Sequence, residues 1–87
     1  MDSNAARRQA WKFALPVFDE VAQACAKHAP MNSLHEAYAV LLEEVDELWD
    51  ECRKKSSERN RDDVRTELIQ IAAMAFRAAI DLDYVKP

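Results

Sequence analysis

The chain has 87 residues, of which 49% are apolar and none is glycine, and its formal net charge at pH 7 is −4. The absence of glycine argues against tight hairpins, phosphate-cradling loops and dinucleotide-binding fingerprints, which all depend on that residue. A sequence pI near 5.1 and scattered basic residues argue against a nucleic acid polymer as partner, and no apolar run reaches the 18 residues of a membrane span. Good helix formers dominate, so we predict a single all-α domain over residues 1–87.

The cysteines indicate the redox compartment of this domain, and the apolar content indicates whether it self-associates. Cys25 and Cys52 each continue an apolar stripe, which favours small buried thiols over a disulfide. With no signal peptide visible, we expect a reduced, cytoplasmic setting. The apolar fraction is generous for so short a chain, because a domain of this size buries only about 60–65% of its unfolded surface. We therefore expect a second copy to cover part of that surface.

The first predicted helix covers about residues 4–28. Its apolar stripe has spacings that alternate between four and three: Trp11, Leu15, Phe18, Ala22 and Cys25. Pro16 lies inside this stretch, and proline removes a backbone hydrogen bond and crowds the preceding turn. The sequence therefore predicts a kink near Pro16, or two shorter helices that meet there.

The second predicted helix covers about residues 34–55. Ser33 and Glu36 have the spacing of a capping box at its start. Six carboxylates fall within residues 43–51, with no Lys or Arg among them. Acids four apart on a helix repel by roughly 0.2–0.5 kcal/mol for each pair. A run of acidic side chains without basic residues among them suggests that a cation from outside the chain binds there.

The third predicted helix covers about residues 62–82. It follows a stretch at 56–61 without apolar side chains, which predicts a solvated loop. Asp62 and Asp63 suit the positive first turn of the helix. From Leu68 to Ile80 the helix is apolar on nearly every side, and such a helix is buried on every side. Because two other helices cannot cover it, this pattern also predicts self-association.

Four oxygen-bearing side chains are expected to meet between the last two helices. Glu44 and Glu47 are one turn apart on one flank of the second helix. Glu67 lies within the apolar stripe of the third helix, where an uncompensated carboxylate is costly, and Gln70 borders that stripe. Packing the two apolar faces together outlines a bundle-core site for Mg²⁺. The alternative is a solvated acidic face in which Glu67 pairs with an arginine or a lysine.

These residues resemble the signature of the MazG-like, all-α nucleoside triphosphate pyrophosphohydrolases, which is Glu-Glu-x-x-Glu followed after a gap by Glu-x-x-Asp. Residues 43–47 read Glu-Glu-Val-Asp-Glu, and residues 67–70 read Glu-Leu-Ile-Gln after a gap of 19 residues. Gln70 therefore stands where the family has Asp. The flanking segments 35–38 and 71–75 resemble small members of the family from phages and mobile elements. The resemblance covers roughly residues 33–82.

The resemblance implies a function and an assembly. It implies Mg²⁺-dependent hydrolysis, with Mn²⁺ as an alternative ion, of a nucleoside triphosphate to a monophosphate and pyrophosphate, as in housecleaning of the nucleotide pool. It implies Glu44, Glu47 and Glu67 as metal ligands, with Gln70 in the fourth position. Glu43 is implied as the catalytic residue that supports the site or positions the water. It also implies a homo-oligomer, a dimer or a tetramer, whose helices form four-helix bundles.

Substrate contacts are hypotheses from helical position. Lys54 lies two turns beyond Glu47, and Arg77 lies two turns beyond Gln70, so each is placed to meet a phosphate. His35, at the start of the second helix, is a further candidate for contact with the substrate. For each of the three, a solvated surface position is the alternative.

Two points stay open at this level. Trp11, Tyr38 and Trp49 are candidates for stacking on a base, although aromatic residues at helical spacing usually belong to a core. An amide ligand brings no charge, so either Asp63 takes the place of Gln70 or the metal site is degenerate. The second case gives a rival function, a non-catalytic or weakly active helical module that works by association.

Overall fold

A computed structural model describes all 87 residues as three α-helices joined by short connections. Helix α1 covers Ser3–Lys27, α2 covers Leu34–Cys52 and α3 covers Arg61–Asp81, with a 3-10 turn at Ser56–Glu58 before α3. There is no strand, so the predicted all-α class is confirmed. None of the three helices combines the length and the apolar character that crossing a bilayer requires.

Each helix begins at a side chain that caps its free backbone N–H groups. The Asp2 carboxylate accepts from the N–H of Ala5 at 2.8 Å, and the Ser33 hydroxyl accepts from the N–H of Glu36 at 3.1 Å. The Glu36 carboxylate in turn accepts from the N–H of Asn32, one residue before the position of a standard capping box. Asn60 caps α3. The predicted start of α2 is thus confirmed.

The ends of α2 and α3 show how the chain turns without glycine. Helix α2 ends at Cys52, three residues before the predicted end at 55, because the Arg59 guanidinium donates to the carbonyls of Glu51, Cys52 and Lys54. These contacts satisfy the carbonyl of Cys52 at the helix terminus and add a donor to the carbonyl of Glu51, which already accepts from the N–H of Lys54. Helix α3 ends with Asp83 at φ 63°, the left-handed region that glycine usually occupies at such ends.

Helix α1 runs through Pro16 as one element from Ser3 to Lys27. The predicted alternative of two shorter helices is therefore wrong. The loss of one backbone donor at Pro16 does not divide a helix whose flanking turns are held by packing on α3. The kink near Pro16 stays a prediction.

The three helices form a layer with α3 in the middle. Helices α1 and α2 each pack against α3 and do not pack against each other. Arg65 lies over the Phe13 ring and Arg77 bonds to Ala29, so α1 and α3 run in the same direction. The molecule measures 40 × 32 × 21 Å.

The core of this layer is small. Six apolar residues are buried, and they come from all three helices and the connection between α1 and α2: Val17, Ala24, Met31, Ala37, Ala73 and Met74. Three of the six are alanines, which let the helices approach closely but bury little apolar area. The layer therefore has little hydrophobic stabilisation for its length.

A buried ion pair fastens the α1–α2 connection to the end of α3. The Arg77 guanidinium donates to the Ala29 carbonyl at 2.9 Å, and the Asp81 carboxylate accepts from the N–H of Met31 at 2.9 Å. Arg77 Nε and Asp81 Oδ2 are 3.5 Å apart, and both side chains are 8% exposed. Residues 29–31 are thereby held across α3 at one end of the layer.

Several residues expected in the core are exposed in the single chain. On α1, Trp11 is 68% exposed and Leu15 is 62% exposed, and a different stripe, from Phe13 through Val17 and Val21 to Ala24, packs on α3. Helix α1 carries two apolar stripes, and the sequence pattern alone does not indicate which one meets α3. The prediction of buried thiols is also wrong for the single chain, since Cys25 and Cys52 are exposed.

Candidate metal-binding cleft

A cleft of about 610 Å³ opens between α1 and α2, and α3 forms its floor. It exists because the outer helices both pack on α3 but not on each other. Its volume lies within the range of about 300–1,000 Å³ that is usual for small-molecule sites. Its lining is mainly polar: Glu20, Gln23, Ala24, Lys27, His28, Ala29, Glu36, Val40, Glu43, Glu44, Gln70, Met74 and Arg77.

The two ends of the cleft differ. The α1–α2 connection closes one end with His28 and Ala29, next to Arg77. Gln70 lies seven residues before Arg77, about 10 Å along the axis of α3, and so marks the opposite end of the floor. The charged side chains of the lining are four glutamates against one lysine and one arginine. The cleft is therefore negative overall, and its positive groups are near the closed end.

An acidic cluster formed by Glu44, Glu47 and Glu67 lies beside the open end of the cleft. One carboxylate oxygen from each residue lies within 4.8 Å of the others. The sequence prediction that α2 and α3 bring these three residues together agrees with this geometry. Glu44 also lines the cleft, so it joins the cluster to the open volume.

The sequence places these carboxylates through simple helix geometry. Ala37 and Leu41 seat α2 against α3, and Glu44 continues that stripe at the next helical turn. Glu47, one turn further, lies at its edge and is exposed. On α3, Glu67 lies between the half-buried Val64 and Ile71. The carboxylates therefore meet at the seam between two packed helices.

The cluster has no cationic partner within the chain. The ion pairs of the chain are Arg53 with Asp50, Lys54 with Glu51, and Arg77 with Asp81. One oxygen each of Glu44 and Glu67 is buried without any hydrogen-bond partner. Buried polar groups are rarely left without a partner in folded proteins. The alternative in which Glu67 is neutralised by an arginine or lysine of its own chain is therefore wrong.

Burial and crowding raise the pKa values of two carboxyls of the cluster. Burial, followed by the charge of Glu47 and a hydrogen bond between the two carboxyls, raises the pKa of Glu44 from 4.5 to about 7. Burial, a hydrogen bond with Glu47 and the charges of Glu47, Glu51 and Asp63 raise the pKa of Glu67. Both carboxyls thus resist ionisation when no cation is present. A divalent ion bound there would offset the cost of burying and crowding these negative charges.

The donor set fits a hard divalent cation. Carboxylate oxygens are the ligands that Mg²⁺ and Mn²⁺ prefer, whereas zinc sites usually draw on histidine and cysteine. The two partnerless oxygens of Glu44 and Glu67 have unused capacity to accept such an ion. Gln70 lines the neighbouring cleft together with Glu44, and its amide oxygen is a neutral donor of the same hard type.

The other predicted site residues are distributed differently. Glu43 lines the cleft beside Glu44, and Arg77 lines its closed end. Arg77 is buried and bonded to Ala29 and Asp81, so its guanidinium serves the fold as well as the cleft wall. His35 is exposed at the start of α2. Lys54 donates to Glu51 at 2.8 Å and does not line the cleft, so the substrate roles of His35 and Lys54 stay predictions.

Sequence reasoning missed three residues of this region. Glu51 has a buried oxygen without a partner, and its charge contributes to the raised pKa of Glu67. Its position four residues after Glu47 was the available signal. Lys27 and His28 supply positive or polar groups at the closed end of the cleft. No pattern within α1 indicates that its last turn faces α2.

The aromatic residues considered for base stacking lie outside the cleft. Trp11, Tyr38 and Trp49 are all exposed and none belongs to the cleft lining. Their expected place in the core is wrong for the single chain. The walls of the cleft offer only the imidazole of His28 as a flat ring.

In comparisons with protein-family models, curated proteins and solved structures, no significant match to this chain was found.

Proposed function

We propose that this protein hydrolyses a nucleoside triphosphate to a monophosphate and pyrophosphate with Mg²⁺, or Mn²⁺, held by the acidic cluster. The observation that carries the proposal is the meeting of three carboxylates from two helices within 4.8 Å, with no cationic partner. The resemblance of residues 43–47 and 67–70 to the MazG-like signature gives the reaction class. The cluster and its neighbouring cleft supply a place for both ion and substrate.

The charge of the cleft makes the proposed activity strictly metal-dependent. Four glutamates face one lysine and one arginine in the lining, and Glu47 and Glu67 add further negative charge nearby. A triphosphate is itself a polyanion, and like charges at a few ångströms repel by about 1 kcal/mol or more for each pair. Substrate therefore binds only with cations that reverse the local charge.

The chain's own residues take distinct parts in this proposal. Glu44, Glu47 and Glu67 hold the ion, and Gln70 offers a neutral oxygen from the cleft floor. An ion held there would supply contacts to phosphate oxygens and would lower the pKa of an attacking water. Glu43, exposed on the cleft wall, accepts a hydrogen bond from that water and orients it. Lys27 and Arg77 face the anionic end of a substrate that lies along the cleft.

Metal binding is tested by thermal unfolding during titration with Mg²⁺ or Mn²⁺. Metal at about ten times its Kd adds about 1.4 kcal/mol to the free energy of unfolding, which raises Tm by roughly 6–11 °C in a domain of this size. Glu67→Gln removes the rise, whereas Glu58→Gln, a matched change in the exposed 3-10 turn, retains it. An unchanged Tm at millimolar metal contradicts the proposed site.

The reaction is tested with a panel of nucleoside triphosphates, assayed for pyrophosphate and monophosphate in the presence of Mg²⁺. We expect release of pyrophosphate by the wild type and by Glu58→Gln, and none by Glu67→Gln. Release of inorganic phosphate instead of pyrophosphate contradicts the reaction class. Activity that survives Glu67→Gln contradicts the site.

Gln70 favours a second candidate function, a helical association module with a degenerate metal site. An amide in place of a carboxylate leaves the site with one negative charge fewer, and affinity for a hard cation depends on that charge. Gln70→Asp separates the two candidates. If the protein is an enzyme, Gln70→Asp changes a rate of pyrophosphate release that the wild type already has. If it is a degenerate module, Gln70→Asp strengthens metal binding, although the wild type releases no pyrophosphate.

We also propose that the protein works as a homo-oligomer, either a dimer or a tetramer. Only seven of its 87 residues are buried in the single chain, and a domain this small is marginal even when its core is well filled. Association with a second copy supplies burial that the chain alone lacks. The mass in solution, measured by sedimentation, tests this part of the proposal independently of the metal.

A further inference from the structure

The surface of the layer that faces away from the cleft is apolar. We call it the back face and define it by exposed side chains from all three helices: Trp11, Leu15, Phe18, Leu34, Tyr38, Leu42, Val45, Trp49 and Leu68. These side chains are between 43% and 69% exposed. An exposed apolar surface that spans three helices marks an interaction site rather than ordinary surface scatter.

Helix geometry places the back face opposite the cleft. At 100° per residue, Val45 on α2 is about 160° from Glu43, and on α1 Phe18 is about 140° from Gln23. On α3, Leu68 is about 160° from Gln70. Glu43, Gln23 and Gln70 all line the cleft. The layer is thus polar and acidic on one side and apolar on the other.

The exposed area indicates what covers the back face. The chain exposes 6701 Å², whereas a folded monomer of 10.0 kDa exposes about 5,200 Å² by the usual scaling of surface with mass. The excess is about 1,500 Å², and a stable protein–protein interface of standard size needs about 800 Å² from each partner. The excess is therefore enough for one full interface of the kind that homodimers form.

The edge of the back face has charges that suit a second copy. Arg61 and Arg65 flank Leu68 and have no carboxylate partner within their own chain. Asp46, exposed beside Leu42 and Trp49 on α2, likewise has no basic partner. In a two-fold interface, any pair formed between such groups on the two copies occurs twice.

We infer that the back face is the surface on which two copies of this chain associate, so that both clefts face outward from the dimer. In this arrangement each acidic cluster and cleft is complete within one chain, and the partner contributes no residue to it. The assignment rests on the proposed self-association but not on the proposed hydrolysis. A different protein as the occupant of the back face is the competing outcome.

Sedimentation of matched variants tests the assignment. Leu15→Glu and Val45→Glu each place a charge in the back face, and Gln23→Glu makes a comparable change on the cleft wall. We expect wild type and Gln23→Glu to have at least twice the mass of 10.0 kDa at about 100 µM, and both back-face variants to dissociate with a Kd raised roughly 100-fold or more. A monomeric wild type overturns the inference.

Thiol accessibility gives a second test that does not depend on a destabilising substitution. Cys25 lies seven residues after Phe18 and Cys52 lies seven after Val45, so both exposed thiols point to the back face. Their alkylation should slow at least about tenfold from 1 to 100 µM wild-type protein as the dimer forms. A thiol introduced by Gln23→Cys, in a background of Cys25→Ser and Cys52→Ser, should react at one rate throughout.

The outcomes separate this inference from the proposed function. If the wild type is a dimer but Gln23→Glu dissociates it and the back-face variants do not, the surface assignment is wrong while self-association stands. If the back-face variants dissociate and no metal or nucleotide effect is found, the assignment stands and the proposed hydrolysis fails. If the alkylation rates of Cys25 and Cys52 do not change with protein concentration, the assignment of the back face as the dimer surface is contradicted directly.

Discussion

Replacing Glu67 by glutamine should make the metal-free protein more stable, which is unusual for a change at a half-buried position. The substitution keeps the shape of the side chain and removes its charge. In the structure, Glu67 lies within 4.8 Å of carboxylate oxygens of Glu44 and Glu47, and one of its own oxygens has no partner. The wild-type carboxylate therefore opposes folding unless a cation is bound.

The size of the effect follows from the separation of the charges. Two unit charges 4.8 Å apart repel by about 0.9 kcal/mol in water and about 3.5 kcal/mol at an effective dielectric constant of 20. Because Glu47 is exposed, the lower end applies, and we expect Glu67→Gln to add about 1 kcal/mol at pH 8. In a domain of this length that gain raises Tm by roughly 4–8 °C.

The assay is thermal unfolding by circular dichroism with a chelator present, at pH 8 and at pH 5. The gain should shrink at pH 5, where Glu44, whose pKa is raised to about 7, is largely protonated and no longer repels Glu67. Adding Mg²⁺ should reverse the order, since only the wild type retains all three carboxylates. Glu58→Gln, remote from the cluster, should change Tm little in any condition.

A lower stability of Glu67→Gln at pH 8 without metal would refute this reasoning. It would mean that the Glu67 carboxylate accepts stabilising hydrogen bonds that the amide cannot reproduce. The acidic cluster would then be part of the scaffold rather than a candidate ion site.

Four further predictions concern the rest of the molecule. Because the pKa of Glu44 is raised from 4.5 to about 7, the folded state binds more protons than the unfolded state in this window. Metal-free stability should therefore fall as pH rises from about 5 to 8, by about 1 kcal/mol after allowance for screening by solvent, and Glu44→Gln should flatten that dependence in a urea titration. Ser33→Ala removes the cap of α2 and should cost about 1 kcal/mol in the free energy of unfolding, with an unchanged urea midpoint as the contrary result. Asp83→Gly, at φ 63°, should raise Tm by relieving the left-handed backbone, a gain of about 0.5 kcal/mol. Arg77→Met leaves the buried Asp81 without its partner and should cost about 3 kcal/mol, whereas a loss below about 1 kcal/mol would show that the pair is not essential to the fold.

The helices were predictable because their signals are local. The capping pair at Ser33 and Glu36 and the acids at Asp62 and Asp63 fixed two helix starts within one residue of their observed positions. The end of α2 was predicted three residues late, because Arg59 reaches back to the α2 carbonyls from beyond the 3-10 turn. Those contacts join residues five to eight apart across the end of α2 and the loop after it, and they produce no helical periodicity in the sequence.

The acidic cluster was predictable because each helix places its carboxylates on a stripe that packing brings together. Glu44 and Glu67 both lie at the seam of α2 and α3, and their spacing in the sequence is enough to suggest the meeting. The cleft was not predictable, since it depends on α1 packing on α3 without touching α2. Two apolar stripes on α1 compete for that contact, and the choice between Val17 and Leu15 is made by tertiary packing.

The bond from Arg77 to Ala29 and the bond from Met31 to Asp81 fasten the α1–α2 connection to α3 at the closed end of the cleft. Widening of the cleft between α1 and α2 is accordingly hardest near residues 29–31, where these two bonds lie. The open end of the cleft, toward Gln70, has no such bond across it. An anionic substrate would therefore enter between α1 and α2 at that end, beside the seam of α2 and α3 where Glu44 and Glu67 lie.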